Sequence, residues 1–152
     1  MTASVGRIMA LDVGGRRIGV AMSDPTRVLA SPLTTVRAVP HARALAQLAA
    51  LVADYEVVEL VVGLPLTLSG EQGPQAQTVL AFVEELRRHV HVPIHLFDER
   101  LTTVEAERIM VEMGLKRDQR REKIDEVAAS IILRDFLGSR EEQRYARDTD
   151  DE

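Results

Sequence analysis

The amino-acid sequence predicts a single α/β domain in which a mixed five-stranded sheet is flanked by helices. The first observation is the order of hydrophobic patterns along the chain, which is β-β-β-α-β-α-β-α-α. The second is the short Gly14-Gly15 link between the first two strand-like runs, which favours an antiparallel hairpin. The third is that helical segments separate the later strands, as parallel strands joined by right-handed crossovers require.

The N-terminal half supplies four of the five predicted strands and one helix. Two short apolar runs at 7–13 and 17–22 form the hairpin, and a third strand follows at 29–36. The alanine- and leucine-rich segment 41–54 has its leucines at helical spacing. The mostly apolar run 57–65 is typical of a central strand that is buried on both faces.

The C-terminal half supplies the last strand and three helices. An amphipathic helix is predicted over 77–90 and a strand over 93–100. A capping-box pattern begins the next helix, at 102–114, and a strongly apolar helix follows at 123–138. Both of these helices are predicted to end at a glycine. The remaining residues, 139–152, are polar, and we expect them to be a disordered tail.

The composition is that of one globular domain, which we place at residues 1–138 of a chain of 152. The chain contains no cysteine, which excludes disulfides and thiolate metal sites. No apolar run has the length of a membrane span, and the N-terminus lacks the pattern of a secretory signal. The sequence therefore predicts a cytoplasmic protein with no membrane partner.

The net charge of −5 argues weakly against a nucleic-acid partner, but this charge is unevenly distributed. The segment from Gly138 to the end holds three arginines and six acidic residues, so it carries most of the negative charge. Residues 116–123, in contrast, contain five basic and two acidic side chains. This segment is either a solvated helix flank or a contact surface for a polyanion.

Acidic residues end two of the predicted strands. Asp12 ends the first strand, Asp98 and Glu99 end the last one, and Asp125 lies one turn into the final helix on its apolar face. Because sites in α/β sheets lie at the carboxyl ends of parallel strands, we expect these side chains to converge. Converging carboxylates repel one another unless a divalent cation lies between them, and oxygen ligands favour Mg²⁺ or Mn²⁺. Such a site is suited to phosphoryl transfer.

Each acidic position also has an ordinary structural explanation. Asp12 precedes two glycines and could be a turn residue. The pair Asp98-Glu99 precedes Arg100 and could form a salt bridge where a helix begins. Asp125 lies near a predicted helix N-terminus, where the helix dipole favours a negative charge. The joint placement of the acids is the feature that favours a metal site.

Four motifs, ALDVGGRRIGVAMSD, VVGLPLTLSGEQG, FDERLTTVEAE and KIDEVAASIILRDFL, occur in this order. In these motifs the chain resembles the YqgF family (also called RuvX-like) of pre-16S rRNA nucleases, from about Arg7 to Leu137. The resemblance implies an RNase H-like fold related to RuvC-type Holliday junction resolvases. It also implies a cytoplasmic bacterial nuclease that processes the 5′ end of the small-subunit rRNA precursor.

The resemblance assigns metal binding to four acids of this chain. Asp12 matches the family's first-strand aspartate, Asp98 and Glu99 match its aspartate–glutamate pair, and Asp125 matches the aspartate of its last helix. RuvC-type resolvases carry an essential glutamate on the strand that is 57–65 here, and this strand ends without an acid. We expect Glu99 to take that place, so that Asp12, Glu99 and Asp125 are the catalytic acids. Successive strand residues point to opposite faces, which leaves the choice between Asp98 and Glu99 open.

Basic residues in the first hairpin turn, beside the acidic pair and just before Asp125 are candidates for phosphate contacts. They are Arg16, Arg17, Arg100, Lys116, Arg117, Arg120, Arg121 and Lys123. With three Phe, two Tyr and no Trp, the chain has few side chains for base stacking, so contacts to the nucleic-acid backbone should dominate.

Several functional alternatives stay open at this point. RNA is the favoured substrate, but a resolvase that acts on branched DNA as a homodimer fits the same acids. A nucleic-acid-binding module without catalysis is a further alternative, and the retained acids argue against it. A sugar kinase or actin-like ATPase shares the opening hairpin, but it needs two lobes where this chain has one. The sequence does not decide between a monomer and a homodimer.

Overall fold

A five-stranded sheet, in the order β3-β2-β1-β4-β5, forms the centre of the fold. The computed structural model describes residues 6–67, 69–99 and 102–150. The strands are β1 (Arg7–Val13), β2 (Arg17–Ser23), β3 (Ala30–Arg37), β4 (Val57–Pro65) and β5 (Ile94–Glu99).

Within the described residues, four helices complete the predicted order of elements. They are α1 (His41–Asp54), α2 (Pro74–Leu86), α3 (Thr102–Glu112) and α4 (Arg117–Asp150). Helix α2 begins earlier than the predicted range 77–90 because Pro74 suits the first turn of a helix. None of the helices in the described ranges has both the length and the apolar character that a membrane span needs.

The sheet is mixed, as the sequence predicts. Strand β1 pairs antiparallel with β2, and β2 pairs antiparallel with β3. On its other side β1 is parallel to β4, which is parallel to β5. The register places Asp12 opposite Gly19 of the hairpin and Glu99 beside Pro65. Asp12 is therefore a strand residue and not a turn residue.

The two faces of the sheet contribute to different hydrophobic clusters. Met9 and Leu11 of β1 belong to the cluster that includes residues of α1 and α2. Ile8 and Ala10 belong to the cluster that includes Ile132 of α4. Because side chains alternate along a strand, Asp12 lies on the face that α4 covers.

Helix α4 is longer at both ends than the sequence predicts. It begins at Arg117, so Asp125 lies in its third turn rather than one turn from its start, away from the most favourable region of the helix dipole. Gly138 was expected to end the helix, and this prediction is wrong because α4 continues to Asp150. Residues 139–150 are therefore helical, where a disordered tail was expected. The division into a domain 1–138 and a tail stays a prediction.

An ion pair explains why the helix continues past Gly138. Arg140 donates hydrogen bonds to Glu59 of β4 over 3.0 and 2.7 Å, and its guanidinium lies 4.5 Å from the ring centroid of Phe136. An interior glycine costs a helix about 1 kcal/mol relative to alanine, which charge-assisted hydrogen bonds of this kind can offset.

Candidate active site

Two carboxylates, Asp12 of β1 and Asp125 of α4, form the centre of the candidate site. Asp12 lies on the α4-covered face of the sheet, and Asp125 lies on the part of α4 that contacts β2 beside it. Burial and the nearby charge of Asp125 raise the pKa of Asp12 to about 6. Two elements that are far apart in the sequence therefore bring two acids to one place, as the sequence predicts for this pair.

A glycine in β2 allows this close approach. A Cβ atom on Gly19 would lie 1.9 Å from the carbonyl oxygen of Asp125 and 2.9 Å from the backbone nitrogen of Glu126. The backbone of α4 thus packs directly on β2. Any residue larger than glycine at position 19 would occupy the space that this backbone fills. Because Gly19 is the register partner of Asp12, the same contact sets Asp125 beside Asp12.

The sequence interpretation missed Gly19. Ala128 and Ala129, two small residues of α4, are also buried. A glycine inside a strand of otherwise larger residues is a signal of close backbone approach, and Gly19 carries that signal.

The charges of the two acids are incompletely balanced. Atom Oδ2 of Asp125 is buried and accepts no hydrogen bond, although Nε of Arg17 lies 2.8 Å from it as an ion pair. The side chain of Asp125 is 22% exposed and that of Arg17 is 57% exposed. A buried carboxylate oxygen that accepts no hydrogen bond is costly, and a divalent cation would relieve the cost.

Glu99 lies on the same face of the sheet as the pair, at a different position along it. Burial and the carboxylates of Asp135 and Glu105 raise the pKa of Glu99 to about 8, while Arg134 acts in the opposite direction. Its neighbours are thus residues of α3 and α4 rather than Asp12. Strand β4 separates β1 from β5 in the sheet, and Glu99 lies at the C-terminal end of β5.

Asp98 alternates with Glu99 along β5 and has an exposed side chain. Ile94, two alternations earlier, belongs to the cluster on the α1 and α2 side of the sheet. Of the two neighbouring acids, Glu99 is therefore the one directed toward α4. Sequence analysis left this choice open because the position of α4 decides it.

The oxygen donors of Asp12 and Asp125 fit a hard divalent cation such as Mg²⁺ or Mn²⁺. Oδ2 of Asp125 is buried and accepts no hydrogen bond, and the pKa of Asp12 is raised. Both observations indicate that nearby positive charge does not fully neutralise the two carboxylates. Within the described residues, no group of three or more acidic or histidine side chains is arranged to hold one ion. Asp12 and Asp125 are thus the donors that the fold brings together, and Glu99 is an additional acid on the same face.

The basic residues expected to contact phosphate have different surroundings. Arg16 is exposed in the hairpin turn, while Arg17 pairs with Asp125. Arg120 donates a hydrogen bond to the carbonyl of Leu115 over 2.8 Å, which gives it a structural role. The exposed members of the segment before Asp125 are Lys116, Arg117, Arg121 and Lys123. Arg100 lies outside the described residues.

Comparison with known proteins identifies one family. The family described as "RuvX: Holliday junction resolvase" matches residues 6–139. A protein of Roseiflexus sp. (strain RS-1), named "Putative pre-16S rRNA nuclease", is 63% identical over 139 residues, which are 91% of this chain and 99% of that protein. A protein of Chloroflexus aggregans with the same name is 53% identical and covers 88% of this chain and 94% of its own length.

Solved structures of resolvases share the fold. RuvC of T. thermophilus in complex with a Holliday junction substrate aligns with a TM-score of 0.56 at 16% identity, covering 89% of this chain and 95% of that chain. The Holliday junction resolvase of fowlpox virus aligns with a TM-score of 0.53 at 13% identity, covering 88% and 98% of the two chains. At these identities the likeness concerns the fold, and it confirms the expected RNase H-like architecture.

Proposed function

Because the chain belongs to the RuvX family, we propose that this nuclease hydrolyses phosphodiester bonds in RNA with a divalent ion held by Asp12 and Asp125. The substrate that we propose is the 5′ region of the small-subunit rRNA precursor, which the enzyme would meet in the cytoplasm during ribosome biogenesis. The names of relatives up to 63% identical support this substrate.

The juxtaposition of Asp12 and Asp125 is the observation that carries the proposal. A fold that only binds nucleic acid has no need to bury two carboxylates side by side, since their repulsion and desolvation are unfavourable. The raised pKa of Asp12 is a measure of that cost. Clusters of perturbed acids of this kind are typical of catalytic sites.

The chain's own residues would bind and orient the substrate around this pair. Arg16 follows Asp12 in the hairpin turn, and the exposed residues Lys116 and Arg117, where α4 begins, precede Asp125. These cations would hold backbone phosphates so that one phosphodiester faces the two aspartates. Glu99, on the same face, would either complete the ligand set or, because its raised pKa keeps it protonated at neutral pH, donate a proton near the reacting phosphate. A divalent ion, when bound, would supply the positive charge that activates water and stabilises the leaving oxygen.

Branched DNA is the second candidate substrate, because the family description and the shared fold both concern Holliday junction resolvases. A resolvase acts as a dimer that cuts two strands at symmetric positions. RNA is preferred here because the relatives of high identity are named for an rRNA precursor.

The experiment compares labelled single-stranded RNA, single-stranded DNA and a four-way junction of matched sequence, each with Mg²⁺, Mn²⁺ or EDTA. We expect cleavage of the RNA with either ion and none with EDTA. Paired cuts in the junction with intact RNA would instead establish the resolvase alternative. Binding of RNA without cleavage in either ion would establish a non-catalytic module.

A further inference from the structure

The side chain of Arg17 occupies the place where a cation is needed. It extends from the first residue of β2, and its Nε lies 2.8 Å from the buried Oδ2 of Asp125. Sequence analysis assigned Arg17 to substrate phosphate, whereas in the structure it neutralises a residue of the candidate site.

The contact between Arg17 and Asp125 has the properties of a replaceable ion pair. Oδ2 of Asp125 accepts no hydrogen bond, so the guanidinium contributes charge without the geometry of a strong charge-assisted bond. The Arg17 side chain is 57% exposed, which leaves it room to move. Because the arginine side of the pair is exposed to solvent, the pair contributes less to stability than a fully buried one would.

The backbone at Arg17 is fixed, so a movement would concern the side chain alone. Its carbonyl oxygen accepts a hydrogen bond of 2.9 Å from the backbone nitrogen of Gly14, which closes the hairpin turn. Ile18, the next residue, is fully buried in β2. Because the backbone is fixed, the long side chain of Arg17 can exchange partners without any change in the fold.

We propose that Arg17 is an exchangeable cation, which neutralises Asp125 before a divalent ion binds and is displaced toward substrate phosphate when the ion arrives. This inference rests on the proposed function, because it assumes that Asp12 and Asp125 hold a divalent ion. A guanidinium and a divalent ion at the same Oδ2 repel each other, since both are positively charged. The two cations therefore compete, and loading of the ion releases an arginine at the point where the substrate binds.

Mn²⁺ binding to the protein alone tests the competition without any measurement of activity. Isothermal titration calorimetry would compare the wild type with Arg17→Gln, with Arg16→Gln and with Asp12→Asn. Because Arg17→Gln removes the competitor, we expect it to bind Mn²⁺ about two- to fivefold more tightly than the wild type. Arg16→Gln is the matched control. Arg16 is the exposed neighbour of Arg17 in the sequence, and its substitution removes the same charge. We expect Arg16→Gln to bind Mn²⁺ as the wild type does.

The outcomes separate this inference from the proposed function. Equal or weaker Mn²⁺ binding by Arg17→Gln would overturn the exchange, and so would an equal gain in Arg16→Gln, which would indicate a general effect of charge. Loss of Mn²⁺ binding in Asp12→Asn alone would support the metal site whatever Arg17 does. Absence of Mn²⁺ binding to the wild type would overturn both the metal site and the exchange.

A second measurement follows Arg17 directly. In ¹⁵N-labelled protein, the Nε–H signal of Arg17 should shift when Mg²⁺ is added to the wild type and should not shift in Asp12→Asn. A signal that stays unchanged in the wild type at saturating Mg²⁺ would contradict displacement of the side chain.

Discussion

At the scale of single residues, Asp12 lowers the stability of the folded state because its carboxylate is largely buried next to another one. It is placed on the covered face of the sheet beside a second carboxylate, and the two together raise its pKa from 3.8 to about 6. Above that pH Asp12 is ionised in the native state, and its charge is less favourable there than in the unfolded chain, where water solvates it. Stabilising substitutions are often found at such functional positions.

The first prediction concerns Asp12→Asn without divalent ions. We expect the variant to be more stable than the wild type at pH 7.5, by about 1–2 kcal/mol, because the amide removes the repulsion from Asp125. The gain should shrink as the pH falls from about 6 toward 4, because native Asp12 becomes protonated in that range. Thermal denaturation of both proteins in EDTA, at pH 7.5 and at pH 4, measures this difference in stability. A variant that is less stable than the wild type at pH 7.5 would contradict the electrostatic account.

A second residue-scale prediction concerns the two adjacent acids of β5. Glu99 is directed toward α4 and Asp98 is exposed on the alternate side. We expect Glu99→Gln to lower the rate of RNA cleavage by about tenfold or more, a loss that is common for side chains at metal sites. Asp98→Asn should leave the rate within about twofold of the wild type. Rates under single-turnover conditions provide the comparison. The reverse order of effects would make Asp98 the functional acid.

At the scale of elements, the contact of α4 with β2 positions the site. The carbonyl oxygen of Asp125 would be 1.9 Å from a Cβ on Gly19, and this oxygen belongs to the backbone of a helix. A second such contact occurs at Gly63 of β4, where a Cβ would lie 2.5 Å from Cδ1 of Ile132. The first is the more restrictive because a side chain can move and a helix backbone cannot move alone.

We expect Gly19→Ala to lower the free energy of unfolding by about 2–4 kcal/mol, because the methyl group must push α4 away from the sheet. Urea denaturation measures the loss. Gly15→Ala is the control, since a Cβ there meets no atom within 4 Å. A loss no larger in Gly19→Ala than in Gly15→Ala would show that α4 does not rest on β2 at this point.

Sequence reasoning succeeded where the signals are local. The hairpin, the buried strand β4 and the order of elements follow from periodicity and from the length of the links. It failed for the C-terminal end of α4, because the contact between Glu59 and Arg140 joins residues 81 positions apart. It also missed Gly19, whose meaning depends on where a distant helix crosses the sheet.

At the scale of the whole molecule, α4 links the candidate site to the opposite part of the sheet. It contacts β2 at Asp125, and further along its Phe136 ring lies 5.8 Å from that of Phe97 in β5. Beyond this point Arg140 binds Glu59, which also contacts Arg27 at 3.2 Å. These ion pairs lower the pKa of Glu59 to about 2, with the hydrogen bonds from Arg140 as the largest cause.

The lowered pKa of Glu59 makes the stability of the fold depend on pH. The pKa of Glu59 is lower in the native state than the 4.5 of a free glutamate, so its contribution is present above pH 4.5 and is lost as the pH falls toward 2. We expect Glu59→Gln to be less stable than the wild type by about 1–2 kcal/mol at pH 7, a value discounted for partial solvent exposure. The difference should disappear near pH 2.

Urea denaturation of both proteins from pH 7 to pH 2.5 measures this dependence. Glu112→Gln is the control, because Glu112 forms an exposed ion pair with Arg108 within α3. A difference between wild type and Glu59→Gln that is the same at pH 2.5 and pH 7 would mean that the charge of Glu59 does not hold α4 in place.

We propose that Asp12 and Asp125 together hold the divalent ion that RNA cleavage requires. The most direct test is the single-turnover rate of RNA cleavage by Asp12→Asn at saturating Mn²⁺, with Asp118→Asn, an exposed acid in the first turn of α4, as the control. We expect a loss of about a thousandfold in Asp12→Asn, because metal-ion catalysis contributes several kcal/mol to such reactions, and no loss in the control. A purified Asp12→Asn protein that cleaves RNA at the wild-type rate would contradict the account.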